Sequence, residues 1–124
     1  MINLKKKSLK RMQNLNKMID KSQKSYKDKV LFTERCTKEE FKLLLPKLSK
    51  FKNISASGVG FEKFPDDLSP LKNVQHLAFS NNKITHLPKS FAHLKNLKTL
   101  ILNKNEISNI EVIGNLENLE SLAL

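Results

Sequence analysis

The sequence predicts an α/β solenoid, in which short parallel strands stack side by side, each returns through a helical turn, and a helical segment precedes the stack. The first observation is an apolar spacing, Leu-x-x-Leu-x-Leu-x-x-Asn-x-Leu with conservative exchanges. It begins at Phe51, Val74 and Leu97 and again, cut short, at Leu119, at separations of 23, 23 and 22 residues. Self-similarity at such a period is the mark of stacked repeats. The second is a period of two around Leu77 and Phe79, and around Leu100 and Leu102, which sends alternate side chains into a core. The third is the returning half, Phe64-Pro65-x-x-Leu68-x-x-Leu71 and Leu87-Pro88-x-x-Phe91-x-x-Leu94. Its spacing of three to four, entered through a proline, fits a short helical or 3₁₀ turn.

Taken from the N-terminus, residues 1–29 form a basic arm, helical or disordered, 30–50 a helical cap or atypical first repeat, and 51–124 the repeats, open at the C-terminus. Residues 1–45 contain neither Gly nor Pro, which permits long helix, and Leu9, Met12, Leu15, Met18 and Ile19 recur as on an amphipathic helix. The arm holds ten Lys or Arg against Asp20 and Asp28, so net +8 of the chain's +11 lies there. Such charge opposes ordering, and the arm is expected to be dispensable for folding. Two readings of it stay open: a solvated helix or tail, or an arm (Lys5, Lys6, Lys7, Lys10, Arg11 and Lys17) that adheres to an anionic membrane, nucleic acid or an acidic protein.

Thr37-Lys-Glu-Glu40 has the form of a capping box and predicts a helix from about Lys38 to Leu45. Phe41, Leu44, Leu45 and Leu48 are then available to cover the first strand. In the first copy Phe51, Ile54, Ala56 and Phe61 keep the spacing, but Val59 stands where Asn is expected, and its neighbours Gly58 and Gly60 point to irregular geometry. In the next two copies Asn82 and Asn105 occupy the turn after the strand, where a side-chain amide bonds backbone groups that no ladder partner reaches. These are structural asparagines. The last copy places Ile107, Ile110, Ile113, Leu116 and Leu119 inward without a Leu-Pro pair.

On these residues, 51–124 resembles the leucine-rich repeat family, the halves with Leu-Pro-x-x-Phe-x-x-Leu being similar to its intracellular and bacterial repeats. The resemblance implies a curved parallel sheet with a protein partner on its concave face. The concave columns read Asn53, His76, Thr99, Ser121; Ser55, Ala78, Ile101, Ala123; Ser57, Ser80, Asn103; and Gly58, Asn81, Lys104. They are small and nearly uncharged. Either they merely fit a curved surface, or His76, Ile101, Asn103 and Lys104 form the core of a weak site that needs further repeats to reach the ~1,600 Å² of a standard interface.

Chemistry is sparse. His76, His86 and His93 fall on three different surfaces, Cys36 stands outside the array, and Gly58-Val-Gly60 lacks the spacing of a phosphate loop. No catalytic group, metal or cofactor is expected. One cysteine, no secretory signal and no long apolar run point to a cytoplasmic address. After Lys104 the chain carries only Glu106, Glu111, Glu117 and Glu120 as charges. Because Leu119, Leu122 and Leu124 supply a strand with nothing to cover them, the chain is expected either to be a fragment of a longer array or to self-associate through that edge.

Overall fold

The computed structural model describes residues 2–124, with side chains described from Lys7 onward. Helix α1 (Ile2–Tyr26) is followed by strand β1 (Lys29–Leu31), helix α2 (Lys38–Leu48) and strands β2 (Asn53–Ser55), β3 (His76–Ala78), β4 (Thr99–Ile101) and β5 (Ser121–Ala123). Between the later strands lie 3₁₀ turns at Ser69–Leu71, Lys89–His93 and Glu111–Asn115. The five strands form one sheet in sequence order, every pair parallel.

Three residues per strand suffice because only the middle one must face the core. Val30, Ile54, Leu77 and Leu100 stand in register and are at most 1% exposed, whereas Leu122, next in the row, is 43% exposed. Beneath them Phe41 is ringed by Phe32, Phe61, Phe64 and Phe79 at centroid distances of 5.8, 5.4, 6.1 and 6.3 Å, and Phe64 passes the cluster on to Phe91 at 5.2 Å. Most of these pairs meet edge to face, the arrangement that the ring quadrupoles favour. Burying each such ring stabilises the fold by about 1.5–3 kcal/mol.

The capping box is complete. Glu40 N donates to Thr37 Oγ1 (3.2 Å) and Thr37 N to Glu40 Oε1 (2.8 Å), and α2 buries Phe41, Leu44, Leu45 and Leu48. It runs three residues beyond the expected Leu45, through Pro46, which has no N–H to give the carbonyl of Lys42, and buries Leu48 in doing so. Of the returning turns, the one after Pro88 begins at Lys89 as expected. The earlier one begins only at Ser69, beyond Pro65, started by Pro70 and by an Asp67 carboxylate that accepts from Ser69 N (2.9 Å). In the last copy Ile113 and Leu116 are buried and Ile107 and Leu119 partly so, but Ile110 faces out, 44% exposed, which corrects the inward pattern at that position.

Strand β1 and the placement of α1 depart furthest from the sequence reading. The boundary drawn at residues 29 and 30 falls inside β1, which extends the sheet by one strand. Helix α1 is no free arm: Leu15 and Ile19 are fully buried in the common core, Met12 and Met18 pack against it, and only Leu9 of the stripe, 64% exposed, is left outside. The helix also covers the outer edge of β1. Leu31 N donates to Ser22 Oγ (3.3 Å) and Thr33 N to Met18 Sδ (3.3 Å), which satisfies donors that an edge strand otherwise presents to water or to another chain. Two clasps hold it there. Arg11 grips Glu40 through Nε–Oε2 (2.8 Å) and Nη2–Oε1 (2.9 Å), and Lys47 Nζ reaches Asp20 Oδ1 (2.7 Å) and Asn16 Oδ1 (3.1 Å). Self-repulsion does not unseat the helix because its buried face is apolar and its lysines point outward. Residues 11–24 are therefore part of the folded body, and deleting residues 1–24 is expected to lower the denaturation midpoint, not leave it unchanged.

Successive copies are tied by asparagine side chains. Asn82 accepts from Val59 N (3.0 Å) and Phe61 N (3.1 Å) and donates to Ala56 O (2.7 Å) and Phe79 O (3.0 Å). Asn105 repeats this one copy on, accepting from Ile84 N (3.0 Å) and donating to Phe79 O (2.8 Å) and Leu102 O (2.9 Å). A second row lies at the other end of the strands, on the surface: Asn73, Asn96 and Asn118 donate to Ser49 O, Lys72 O and Lys95 O at 3.1, 2.6 and 2.7 Å. Among the described residues no helix is long and apolar enough to cross a membrane.

Asn82→Ala strands buried backbone donors and acceptors in two copies at once, so it should cost about 2–3 kcal/mol, or roughly 10 °C of melting temperature. Asn105→Ala, at a half-buried site, should cost less; calorimetry on both variants checks the order. The Arg11–Glu40 clasp adds an acid-sensitive component. Burial pushes the Glu40 carboxyl up, but the bonds from Arg11 and from Thr37 N outweigh it and hold the group below its usual range. Its stabilising effect is thus complete above the unfolded value of about 4.3 and is lost as the pH falls through the lower folded value. Glu40→Gln should flatten the acid side of the stability curve, and an unchanged curve would show that the clasp is not coupled to folding.

Candidate interaction surface

Register decides which side chains share the outward face of the sheet. Lys29, Asn53, His76, Thr99 and Ser121 form one column, and Leu31, Ser55, Ala78, Ile101 and Ala123 the next. From β2 to β5 these columns match the sequence reading residue for residue. Lys29 and Leu31 extend them and were missed; the alternation of Lys29-Val30-Leu31-Phe32, with Val30 and Phe32 buried, is the signal that carries them. Except for exposed Lys29 and Ser121, both columns are half-buried, as neighbours on a crowded face are. One column is polar and the other, but for Ser55, apolar.

The third column, Ser57, Ser80 and Asn103, lies beyond the strands. Ser80 Oγ donates to Asn103 Oδ1 (2.8 Å), so these two hold each other, while Ser57 is exposed. The fourth column has a conformational logic: Gly58, Asn81 and Lys104 have φ of 68°, 58° and 61°. All three copies therefore pass through the left-handed region at one point, where Gly is unstrained, Asn tolerable and Lys costly. The irregularity expected at Gly58 is in fact the regular geometry of the repeat, and Gly60, φ 73°, is the residue without a counterpart. Gly58 N and Asn81 N donate to Ser80 O (3.0 Å) and Asn103 O (2.9 Å), carrying the ladder across the turn. Asn81 and Lys104 point to solvent.

The other singled-out groups lie apart. His76 is on the outward face, His93 ends the second 3₁₀ turn, and His86 lines a flank recess of about 840 Å³ with Asp66, Lys89 and Glu111. Among the described residues no three His, Cys, Asp or Glu side chains are placed to hold a metal ion. Cys36 is 2% exposed, and burial, with the Glu40 carboxylate beside it, pushes its thiol up to about 12, so it stays protonated and unreactive.

Of the basic residues, Lys5 and Lys6 have side chains outside the described residues, and Lys7, Lys10 and Lys17 are exposed. Arg11 is spent internally, since beyond Glu40 it donates to Arg35 O (3.0 Å). The outward face of α1 instead carries Lys7, Lys10, Lys17, Lys21 and Lys24 at intervals of three, four and seven. That spacing draws one stripe along the helix.

Residues 61–107, which contain the asparagine-linked copies and strands β3 and β4, match the family model described as leucine rich repeat. No curated protein and no solved structure matches the chain. Residues 61–107 are thus leucine-rich repeats, and the recurring spacing, the parallel sheet in sequence order and the asparagine bonds between copies agree with that match.

Proposed function

We propose that the chain is a non-catalytic interaction module of the cell interior: a short solenoid, closed at its first strand by α1 and α2, that binds a protein segment on the outward, concave face of its sheet. The observation that carries this reading is the straight column Leu31, Ser55, Ala78, Ile101 and Ala123. It sets partly exposed apolar groups beside the hydrogen-bonding column of Asn53, His76, Thr99 and Ser121. Neighbouring strands stand about 4.8 Å apart, so the columns run some 19 Å across the sheet. A surface of that length suits a peptide segment or one helix face of a partner. Leucine-rich repeats in general bind proteins, and the face lacks the Tyr, Trp and Arg that anchor the tightest interfaces, which points to modest affinity.

The lysine stripe of α1 supports a second reading, adhesion to an anionic membrane or nucleic acid. Leu122 and Leu124, 43% and 53% exposed beside β5, support self-association through that edge. Affinity capture with the intact chain separates the three. Ile101→Glu puts a charge into the apolar column and should abolish retention of a protein partner while the variant melts like the parent. Retention that survives Ile101→Glu but disappears with nuclease treatment, lipid removal or high salt would transfer the function to α1. A capture whose only specific product is the chain itself would favour the edge.

A further inference from the structure

Helix α1 and the outward face of the sheet meet in a groove of about 420 Å³. Its apolar lining is Met18, Tyr26 and Leu31, and its charged lining is Lys17 and Lys21 against one acid, Glu34. Leu31 is also the first residue of the apolar column, so groove and column adjoin at that side chain. We propose that this groove is the mouth of the binding site and receives a peptide segment of acidic character, its carboxylates on Lys17 and Lys21 and its apolar side chains on Met18, Tyr26 and Leu31. The inference rests on the outward face being a protein-binding surface and says what its partner looks like.

Charge complementarity selects the occupant. Lys17 and Lys21 are four residues apart on α1, one above the other at about 6 Å of rise. They belong to the stripe that includes Lys7, Lys10 and Lys24, and none of the five enters the ion pairs of the described residues, which are Arg11–Glu40, Arg35–Glu62, Lys38–Asp66 and Lys47–Asp20. Asp20, the single acid of α1, is bonded to Lys47. The helix therefore presents positive charge, opposed in the lining only by Glu34, to whatever lies in the groove. Lys29 does not compete for the carboxylates from the same position, because its ammonium sits over the Tyr26 ring, 5.9 Å from the centroid. A polyanion such as a nucleic acid or a lipid surface would use the lysines but leave the apolar lining unpartnered. A peptide uses both. From Leu31 to Ile101 the column spans three strand spacings, about 14 Å, or roughly four to five residues of extended chain.

The test is to pan random linear peptides against the intact chain and to titrate the enriched sequences by fluorescence anisotropy. Alongside run a random-sequence DNA duplex and vesicles of phosphatidylcholine with phosphatidylserine. The expected peptides combine Asp or Glu with Leu, Ile, Val or Phe. The double variant Lys17→Glu/Lys21→Glu, both exposed and outside the ion pairs of the described residues, should melt like the parent and bind them about tenfold more weakly. Ile101→Glu should weaken them as well. Acidic peptides that ignore the lysine variant but are lost with Ile101→Glu would overturn the groove and leave the outward-face reading standing. Loss with the lysine variant alone would uphold the groove and overturn the outward-face reading. Enrichment of neutral or basic peptides, or tighter binding of the duplex or the vesicles than of any peptide, would overturn the proposal.

Discussion

A three-residue strand cannot satisfy itself, and everything else in this protein follows from that constraint. Each copy offers backbone donors and acceptors on both sides of its strand and in the turns that follow, and only a neighbouring copy in register can take them up. The ladder does this for the strands. Asn82 and Asn105 extend it into the turns on one side, and Asn73, Asn96 and Asn118 into those on the other. A copy is thus pinned at both ends of its strand, and the outward columns inherit their alignment from that pinning. The candidate surface is ordered as a by-product of backbone satisfaction, with no bond made for the surface itself apart from Ser80–Asn103.

The same constraint makes the first strand a problem, which α1 solves with side chains in place of a backbone ladder. Ser22 and Met18 take up the amides of Leu31 and Thr33, and Leu15 and Ile19 carry the core past the sheet. Charge is sorted accordingly. Arg11 and Asp20 are bonded to the body, while Lys7, Lys10, Lys17, Lys21 and Lys24 face out. One helix therefore supplies both the closure of the fold and one wall of the groove beside Leu31. That combination gives the site a polarity that the nearly neutral columns lack.

The repeat was legible because its spacing recurs in register, and from β2 to β5 the outward columns follow from counting alone. The capping box at Thr37 was equally plain, since both of its residues are local. What escaped was whatever depends on contact between distant segments. Strand β1 is three residues at the end of a lysine-rich segment, too short for a period of two to stand out. The seating of α1 was hidden by net charge, a sum over the segment that says nothing of which face each lysine occupies. Ile110 kept the right spacing yet turned outward. The shared left-handed bend at Gly58, Asn81 and Lys104 was read from Gly58 alone: Asn81 is a weaker signal of a positive φ, and Lys104 gives none.

The distribution of phenylalanine has a consequence for how the chain comes together. All seven lie between residues 32 and 91, and all are buried, whereas the core after Phe91 is made of Leu and Ile, ending in the half-exposed Leu122. In a linear array, stability is close to a sum of each copy's own contribution and its contacts with two neighbours. The ring cluster then makes the α2–β3 region the natural nucleus, and that region leaves the ribosome before the later copies do. Each later copy docks onto an already folded template, so assembly is directional, from the first-made end to the last, and opening fluctuations run the opposite way.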